Sequence, residues 1–437
     1  MDQPLNPAII KGDKRTINGW AMYDWANSVY SLVITTAIFP VYWTSVTSEG
    51  GSDIVRFLGF DFINTALYSY CISFAFLIVA FLSPILSAIA DSSGSKKGFM
   101  KFFCWLGGTA CISLYFFDSS NIWLGVTGFV LATMGYTGSL VFYNAYLPEI
   151  AHPEDHDRVS AKGFSLGYIG SSLLLIFNLF MIMKPEVFGI SDLSFPARFS
   201  FFLVGIWWIG FAGITFNRLP SNIYGRKRSG NYIFKGYKAL GEVWLQLRSQ
   251  GALTRFLFGF FFYNMGVQTV MYVATVFGKK EVGLEDGELI TTVLIIQFVA
   301  IGGAYLFSWL SGKKGNLLTL SLAILIWIGI CIGAYFVYDV KGFYVIAGVV
   351  GLVMGGIQSL SRSTYSKMLP ETKEHTSYFS FYDVCEKMGL VLGTASYGMI
   401  EEITGSMRNS IIALISYFLI GLTFILLTLR YQRKSEN

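Results

Sequence analysis

The chain has 437 residues, of which 54% are hydrophobic and 14% are charged, and its formal net charge is +5. Soluble domains carry about 25% charged residues, so this composition excludes a soluble globule. The basic excess could indicate nucleic acid as a partner. We favour membrane topology as its cause, because the basic residues lie in short loops between apolar segments.

Apolar segments of about 20 residues, the length that crosses a bilayer as a helix, recur along the whole chain. They predict twelve spans at residues 18–43, 62–90, 98–117, 122–147, 159–183, 197–219, 253–278, 289–310, 316–338, 342–369, 378–400 and 409–431. No short apolar core with a small-residue cleavage site precedes the first span, so we expect a retained helix and not a signal peptide.

Basic residues orient the predicted spans. With both termini in the cytoplasm, 23 of the 32 lysine and arginine residues lie on the cytoplasmic side and 7 on the other, as the positive-inside rule requires. The longest polar segment, residues 220–252, then links residues 1–219 to residues 253–437. Its sequence YIFKGYKALGEVWLQL indicates a helix on the membrane surface, which we favour over a calmodulin-type target.

Weak repeats suggest that the two parts are related. The tripeptide Leu-Pro-Glu occurs at residues 147–149 and 369–371, which are 222 residues apart, and the same offset relates Gly167 to Gly389. YDWANS in span one also resembles YNMGVQ in span seven. These matches predict an all-α membrane protein of two pseudo-symmetric six-helix halves. Duplicated transporters of this kind bind their substrate between the halves, near the bilayer midplane.

Charged residues inside the spans are the first candidates for function, because a buried charge is costly in a bilayer. Asp24 could bind a proton or a substrate ammonium, or it could pair with Arg362 at a gate. Arg362 could grip a carboxylate, or it could be a gate residue near a helix end. In span eleven, the i,i+4 spacing of Asp383 and Lys387 indicates an ion pair, which leaves Glu386 without an obvious partner.

Uncharged polar residues on the same spans could orient a zwitterion or a sugar. Each could equally form a hydrogen bond between helices. These candidates are Tyr23, Asn27, Tyr143, Asn144, Asn264, Gln268, Gln358 and Tyr382. A metal site at His152, Asp155 and His156 is disfavoured because the three lie in a cytoplasmic turn. No GxxxxGK[ST] loop occurs, so ATP-driven pumping is not expected. No cofactor is predicted.

The loop between spans two and three reads SAIADSSGSKKGF. It resembles the GxxxD(R/K)xGx(R/K)(R/K) signature of the major facilitator superfamily, with matches at Asp91, Gly94, Lys96 and Lys97. In that family, charges at the cytoplasmic helix ends pair in one access state and part in the other. We therefore expect a cytoplasmic gate that also includes Glu149 and Arg158. The corresponding loop of the second half, SWLSGKKGN, keeps the bases but lacks the acid.

Longer segments resemble one branch of this superfamily, the autophagy-related vacuolar amino-acid effluxer and its bacterial relatives. They include WAMYDWANSVYSLVITTAIFPVYW, VFYNAYLPEIA, FFYNMGVQTV, GGIQSLSRSTYSKMLP and FSFYDVCEKMGLVLG. The resemblance implies amino-acid export. One departure is Met265, where relatives often carry an aspartate that could couple protons or bind substrate.

We therefore expect a monomeric secondary transporter of a small solute, coupled to protons and surrounded by membrane lipid. The compact loops favour a bacterial cell membrane, whereas a eukaryotic member would lie in the vacuolar membrane. A drug or sugar exporter of the same fold is the nearest alternative, and a receptor or scaffold without flux is another. An enzyme is disfavoured because all three histidines lie in predicted cytoplasmic loops.

Overall fold

The computed structural model describes residues 10–48, 52–226 and 232–436. The first part of the chain forms α1 (Lys14–Val29), α2 (Phe39–Thr47), α3 (Asn64–Ser93), α4 (Lys96–Ser113), α5 (Ile122–Asn144), α6 (Leu147–Ile150), α7 (His156–Met183) and α8 (Phe195–Arg218). The remainder forms α9 (Tyr232–Ser249), α10 (Gly251–Phe277), α11 (Asp286–Lys314), α12 (Asn316–Phe336), α13 (Val340–Met368), α14 (His375–Thr404) and α15 (Met407–Glu436).

Eleven helical segments in the described part of the chain are long and apolar enough to cross a membrane. The first is continuous from Lys14 to Thr47, because a π-helical stretch at Tyr30–Ile38 joins α1 to α2. Helix α14 is not among the eleven, although it has 30 residues. It carries Asp383, Glu386 and Lys387, and these charges lower its hydropathy. The predicted eleventh span, residues 378–400, and with it the count of twelve, therefore stay predictions.

The chain is nearly all helical, as the all-α fold class predicts, apart from one short hairpin that the sequence analysis did not predict. Residues between the first two long helices form an antiparallel hairpin of β1 (Ile54–Phe57) and β2 (Phe60–Ile63), in which Arg56 faces Asp61. The turn residues Leu58 and Gly59 have φ angles of 53° and 84°. Two positive φ angles are typical of the two-residue turns that match strand twist. The signal in the sequence was the glycine between two short apolar stretches.

Equivalent helices of the two parts pack in equivalent ways. Helix α7 packs on α1, and a Cβ added to Gly167 would lie 2.4 Å from Ser28 Oγ. Helix α14 packs on α10, and a Cβ added to Gly393 would lie 2.8 Å from the main-chain oxygen of Met265. The Leu-Pro-Glu copies differ, since Glu149 is buried and Glu371 is exposed. The first copy forms α6, whereas the second follows the end of α13.

The two halves meet along helices from both. Helix α3 packs on α14, and α7 packs on α11 and α13. Each half has its own hydrophobic core, and Ala145 and Tyr168 of the first half belong to the core of the second. The boundaries at residues 219 and 253 remain predictions.

The described part of the chain begins and ends at one face of the bundle, which we call the terminal face. Near its start, Gly12 donates a main-chain hydrogen bond to the oxygen of Ile150. Near its end, the Arg255 guanidinium lies 4.4 Å from the ring centre of Tyr431. The Asp13 carboxylate caps α1, and hydrogen bonds from the Thr16 hydroxyl and main chain hold the pKa of Asp13 below its ordinary value.

Helix α9 forms in the segment for which the sequence predicts an amphipathic helix. It lies at the terminal face against α3, where Gly236 approaches the backbone of Ala88 and Ile89. The Tyr378 hydroxyl of α14 donates to Gln246 Oε1 at 2.9 Å. The linker helix therefore contacts both halves, and its position on a membrane surface stays a prediction.

Candidate functional site

A cavity of about 380 Å³ lies between the halves, with walls from α1, α2, α3, α5, α7, α10, α11, α13 and α14. Ten of the residues that the sequence singles out line it: Asp24, Asn27, Asn144, Asn264, Gln268, Gln358, Arg362, Tyr382, Glu386 and Lys387. They come from helices of both parts of the chain. Tyr23, Tyr143 and Asp383 lie behind the wall.

Asp24 and Arg362 form an ion pair between the halves. Both Nη atoms of Arg362 lie 3.3 Å from Asp24 Oδ2, and both side chains are almost fully buried. The Tyr143 hydroxyl donates to the same oxygen at 2.8 Å. Of the two interpretations of Asp24, the pairing with Arg362 is thus the one present in this state.

The remaining donors of Arg362 are also occupied. Its Nε donates to Ser160 Oγ and its Nη2 to the Ser160 main-chain oxygen, both at 2.9 Å, while Nη1 lies 3.3 Å from Asn144 Oδ1. A guanidinium has five N–H donors, and these contacts use all five. The rings of Trp20, Tyr143 and Phe164 surround it at 4.2–5.4 Å. Arg362 therefore acts here as a bridge between the halves, and it has no donor left for a substrate carboxylate.

Gly163 leaves the room that this ion pair needs. A Cβ added at that position would lie 2.3 Å from Asp24 Oδ2 and 3.0 Å from Arg362 Nη2. Helix α7 can approach the Asp24–Arg362 pair this closely because Gly163 has no side chain. Sequence reasoning missed Gly163 and Ser160, because small residues on an apolar helix carry no charge or periodic signal that marks them.

Two of the predicted tyrosines do not reach the cavity. Tyr23 is fully buried and packs on Tyr143 and Phe216. Tyr143 contacts the site only through its hydroxyl, behind Asp24. The prediction that Tyr23 lines the substrate path is wrong in this state, because its side chain projects from the face of α1 that packs within its own half.

The three charges of α14 occupy different positions. The Lys387 ammonium contacts Asp383 Oδ1, which is the pairing that the i,i+4 spacing predicts. Glu386 is half-buried at the cavity wall, where its Oε1 lies 3.3 Å from Gln268 Nε2. Asn264 Nδ2 also approaches the main-chain oxygen of Glu386 at 3.4 Å. Among the residues that the structure describes, no lysine, arginine or histidine forms an ion pair with Glu386.

Met265 is buried in the contact between α10 and α14 and does not line the cavity. Its main-chain oxygen accepts from the Thr269 hydroxyl at 2.7 Å. Met265 thus provides no acid to the cavity. The acid that lines it nearby is Glu386 on the facing helix, which forms no ion pair with a described residue.

At the terminal face, Asp91 binds the start of α14. Its carboxylate accepts from the main-chain N–H groups of Thr376 and Ser377 at 3.3 and 2.7 Å, and from the Ser377 hydroxyl at 2.8 Å. An anion at a helix N-terminus satisfies free N–H groups and interacts well with the helix dipole. Asp91 thus joins the first half to the second.

Two further contacts close the same face. Glu149 Oε1 lies 2.5 Å from Lys96 Nζ and 3.2 Å from His375 Nδ1. Asp157 Oδ2 accepts from Lys367 Nζ and from the Ser311 hydroxyl, each at 2.7 Å. The loop SWLSGKKGN of the second half has no acidic residue of its own. Its acidic partner is Asp157, which comes from α7 of the first half. Sequence reasoning missed Asp157 because its partners lie more than 150 residues away.

Two basic residues of the predicted gate behave differently. Lys97 Nζ donates to the main-chain oxygen of Leu219 at 2.7 Å, within the first half. Arg158 pairs with the nearby Asp155, and its side chain is 74% exposed. The inclusion of Arg158 in the gate is wrong in this state, because the first turn of α7 directs its side chain into solvent.

Gly94 ends α3 in a left-handed conformation with φ 66°, and a Cβ there would lie 2.1 Å from Asn222 Oδ1. We expect Gly94→Ala to lower the melting temperature, through a loss of about 1–2 kcal/mol for the unfavourable φ angle alone. The matched control is Gly98→Ala on α4, where the new methyl group meets no atom within 4 Å. Equal melting temperatures for the two variants, measured in detergent, would contradict this explanation.

Comparisons with known proteins agree with this architecture. The family model described as "Vacuole effluxer Atg22 like" matches residues 12–437. The "Uncharacterized MFS-type transporter YxiO" of Bacillus subtilis strain 168 is 32% identical over 410 residues, which are 93% of each chain. "Autophagy-related protein 22-1" of Penicillium rubens is 23% identical, over 89% of this chain and 79% of the relative.

Solved structures share the fold at low identity. The Major Facilitator Superfamily transporter FucP, in its outward conformation, matches with a TM-score of 0.70 and 11% identity. The match covers 95% of this chain and 99% of that one. Identity this low shows a common fold and carries no information about the substrate.

Proposed function

Because the chain belongs to the Atg22-like branch of the major facilitator superfamily and is a membrane transporter, we propose that it couples a proton gradient to the export of an amino acid. In this proposal the chain has twelve spans with both termini in the cytoplasm, and the terminal face is the cytoplasmic face. It works as a monomer in a bacterial cell membrane.

The observation that carries the proposal is a cavity wall with charges of both signs, of which Asp24 comes from the first half and Arg362, Glu386 and Lys387 come from the second. Asp24 of α1 and Arg362 of α13 approach to 3.3 Å at its edge, and Glu386 of α14 lines it. An amino acid carries both signs of charge and can interact with such a wall. Ion pairs between halves can form in one access state and break in the other, which suits alternating access.

Reconstitution into proteoliposomes tests the proposal. We expect flux of at least one labelled amino acid that changes with an imposed pH gradient, whereas xylose and a cationic dye give no such flux. Protein-free liposomes are the control for leakage. Gradient-dependent flux of the sugar or the dye alone would favour an exporter of another class. If no solute moved in response to the gradient, the receptor or scaffold alternative would replace transport.

A further inference from the structure

We propose that Glu386 and the tyrosines around it form one cation site that holds either a substrate ammonium or a proton, and that the substrate accordingly carries a net positive charge. The inference rests on the proposed function and specifies its substrate class. A basic amino acid or another small organic amine has the required chemistry. Neutral and acidic amino acids lack the excess positive charge.

The balance of charge around the cavity is the first support. Its charged lining residues are Asp24, Arg362, Glu386 and Lys387. Arg362 is paired with Asp24, and Lys387 is paired with Asp383 behind the wall. The helices packed on α14, which are α3, α5, α9, α10 and α15, add no charged side chain to this lining. Glu386 thus leaves the cavity with one negative charge that a cation would balance.

Aromatic rings near Glu386 are the second support. Tyr136 of α5, Tyr272 of α10 and Tyr382 of α14 all line the same cavity as Glu386, and Tyr382 lies about one helical turn before Glu386 on α14. The face of a tyrosine ring attracts a cation, and an acid combined with several rings is a common arrangement for binding ammonium groups. The three rings come from three helices, so the site is assembled by the tertiary fold.

Unpartnered polar atoms in the wall are the third support. Gln297 Oε1 and Asn27 Nδ2 are buried without a hydrogen-bond partner, and both residues line the cavity. Their side chains are 8% and 1% exposed. Gln297 offers an acceptor for an ammonium N–H group, and Asn27 offers a donor for a carboxylate oxygen. A basic α-amino acid carries both complementary groups in addition to its extra charge.

A single carboxylate gives a simple coupling rule. Glu386 holds a proton or the substrate ammonium, but not both, because protonation removes the charge that binds the ammonium. Binding of the cation on one side of the membrane therefore releases a proton, and binding of a proton on the other side releases the cation. The expected transport mode is an exchange of one cation for one proton.

Proteoliposomes carrying the full chain test this inference with L-lysine, L-leucine and L-glutamate as probes. We expect lysine flux to exceed the flux of the other two by about tenfold or more, the size expected for one charge-assisted contact. Lysine should also drive proton movement in the opposite direction, measured with a pH-sensitive dye. Glu386→Gln should abolish that proton movement and the lysine preference. Glu402→Gln, at an exposed position of the same helix, should change neither.

Two results would overturn the inference while leaving transport intact. The first is a wild-type protein that carries leucine or glutamate as well as lysine. The second is proton movement with lysine that persists in Glu386→Gln.

A binding measurement separates failure of the site from failure of transport. Lysine should raise the melting temperature of the detergent-purified wild type, less so at lower pH, and should not raise that of Glu386→Gln. If lysine stabilised the wild type but not Glu386→Gln, and no flux were measured, the cation site would be supported and the proposed transport would be refuted. Without any lysine-dependent stabilisation, the site itself would be refuted.

Discussion

Arg362→Ala is expected to lower the free energy of unfolding by about 3–5 kcal/mol and to abolish transport, the largest effect of any single substitution in the cavity wall. The loss arises because the substitution leaves Asp24 buried without its cation, while Asn144 and Ser160 also lose their donor. Chemical or thermal unfolding of the purified protein in detergent measures the change.

A double variant separates the buried charge from lost packing. Asp24→Asn combined with Arg362→Gln removes both charges and should recover a large part of the stability, because no unpaired ion remains. Transport should stay absent, since the bridge between the halves is gone. Arg158→Ala is the matched control, because its exposed pair with Asp155 should contribute only about 0–1 kcal/mol. A stable Arg362→Ala single variant would refute the assigned bridge.

Asp91→Ala is expected to open the terminal face and to shift the access equilibrium by about tenfold or more. The substitution removes three hydrogen bonds from the carboxylate to the start of α14, and each bond to a charged acceptor contributes about 1.5–3 kcal/mol. The partner N–H groups become accessible to water in the opened state, which further favours opening.

Labelling of a cavity cysteine reports this shift. Leu140→Cys places a thiol in the cavity lining, in a background where the five native cysteines are replaced by alanine. A membrane-impermeant maleimide added at the terminal face should label this thiol faster in Asp91→Ala than in the parent. Asp155→Ala, which breaks an exposed pair outside the gate, should not change the rate. Unchanged labelling in a folded Asp91→Ala protein would remove Asp91 from the gate.

Arg362→Ala and Asp91→Ala break different contacts of the same closed state. Asp24–Arg362 joins the halves at the edge of the cavity, whereas Asp91, Glu149 and Asp157 join elements at the terminal face. Opening toward the terminal face requires both sets of contacts to break. The cation that we propose to bind near Glu386 would contact neither set, so substrate binding and gate opening should be separable in experiments.

Much of the architecture follows from local sequence. Eleven long apolar segments appear as helices because the backbone can satisfy its hydrogen bonds in lipid only within a helix or a closed barrel. The spacing of Asp383 and Lys387 predicts their pairing, because residues four apart lie on one helix face. The sequence also indicates which spans hold the candidate site residues, because polar groups in apolar helices are few and costly.

Contacts between distant helices were decided only by the tertiary structure. Nothing near Arg362 in the chain indicates that its guanidinium binds Ser160 and packs against Gly163. Nothing near Asp24 indicates that this residue faces the cavity while Tyr23 faces the core of its own half. The reason is physical: a helix apolar on all sides has no periodic pattern that separates its lipid face from its packed face. The sequence by itself determined which segments form long apolar helices and which of their residues are charged. The packing of small residues then decided which charges meet, and left Glu386 at the cavity without an ion pair to any described residue.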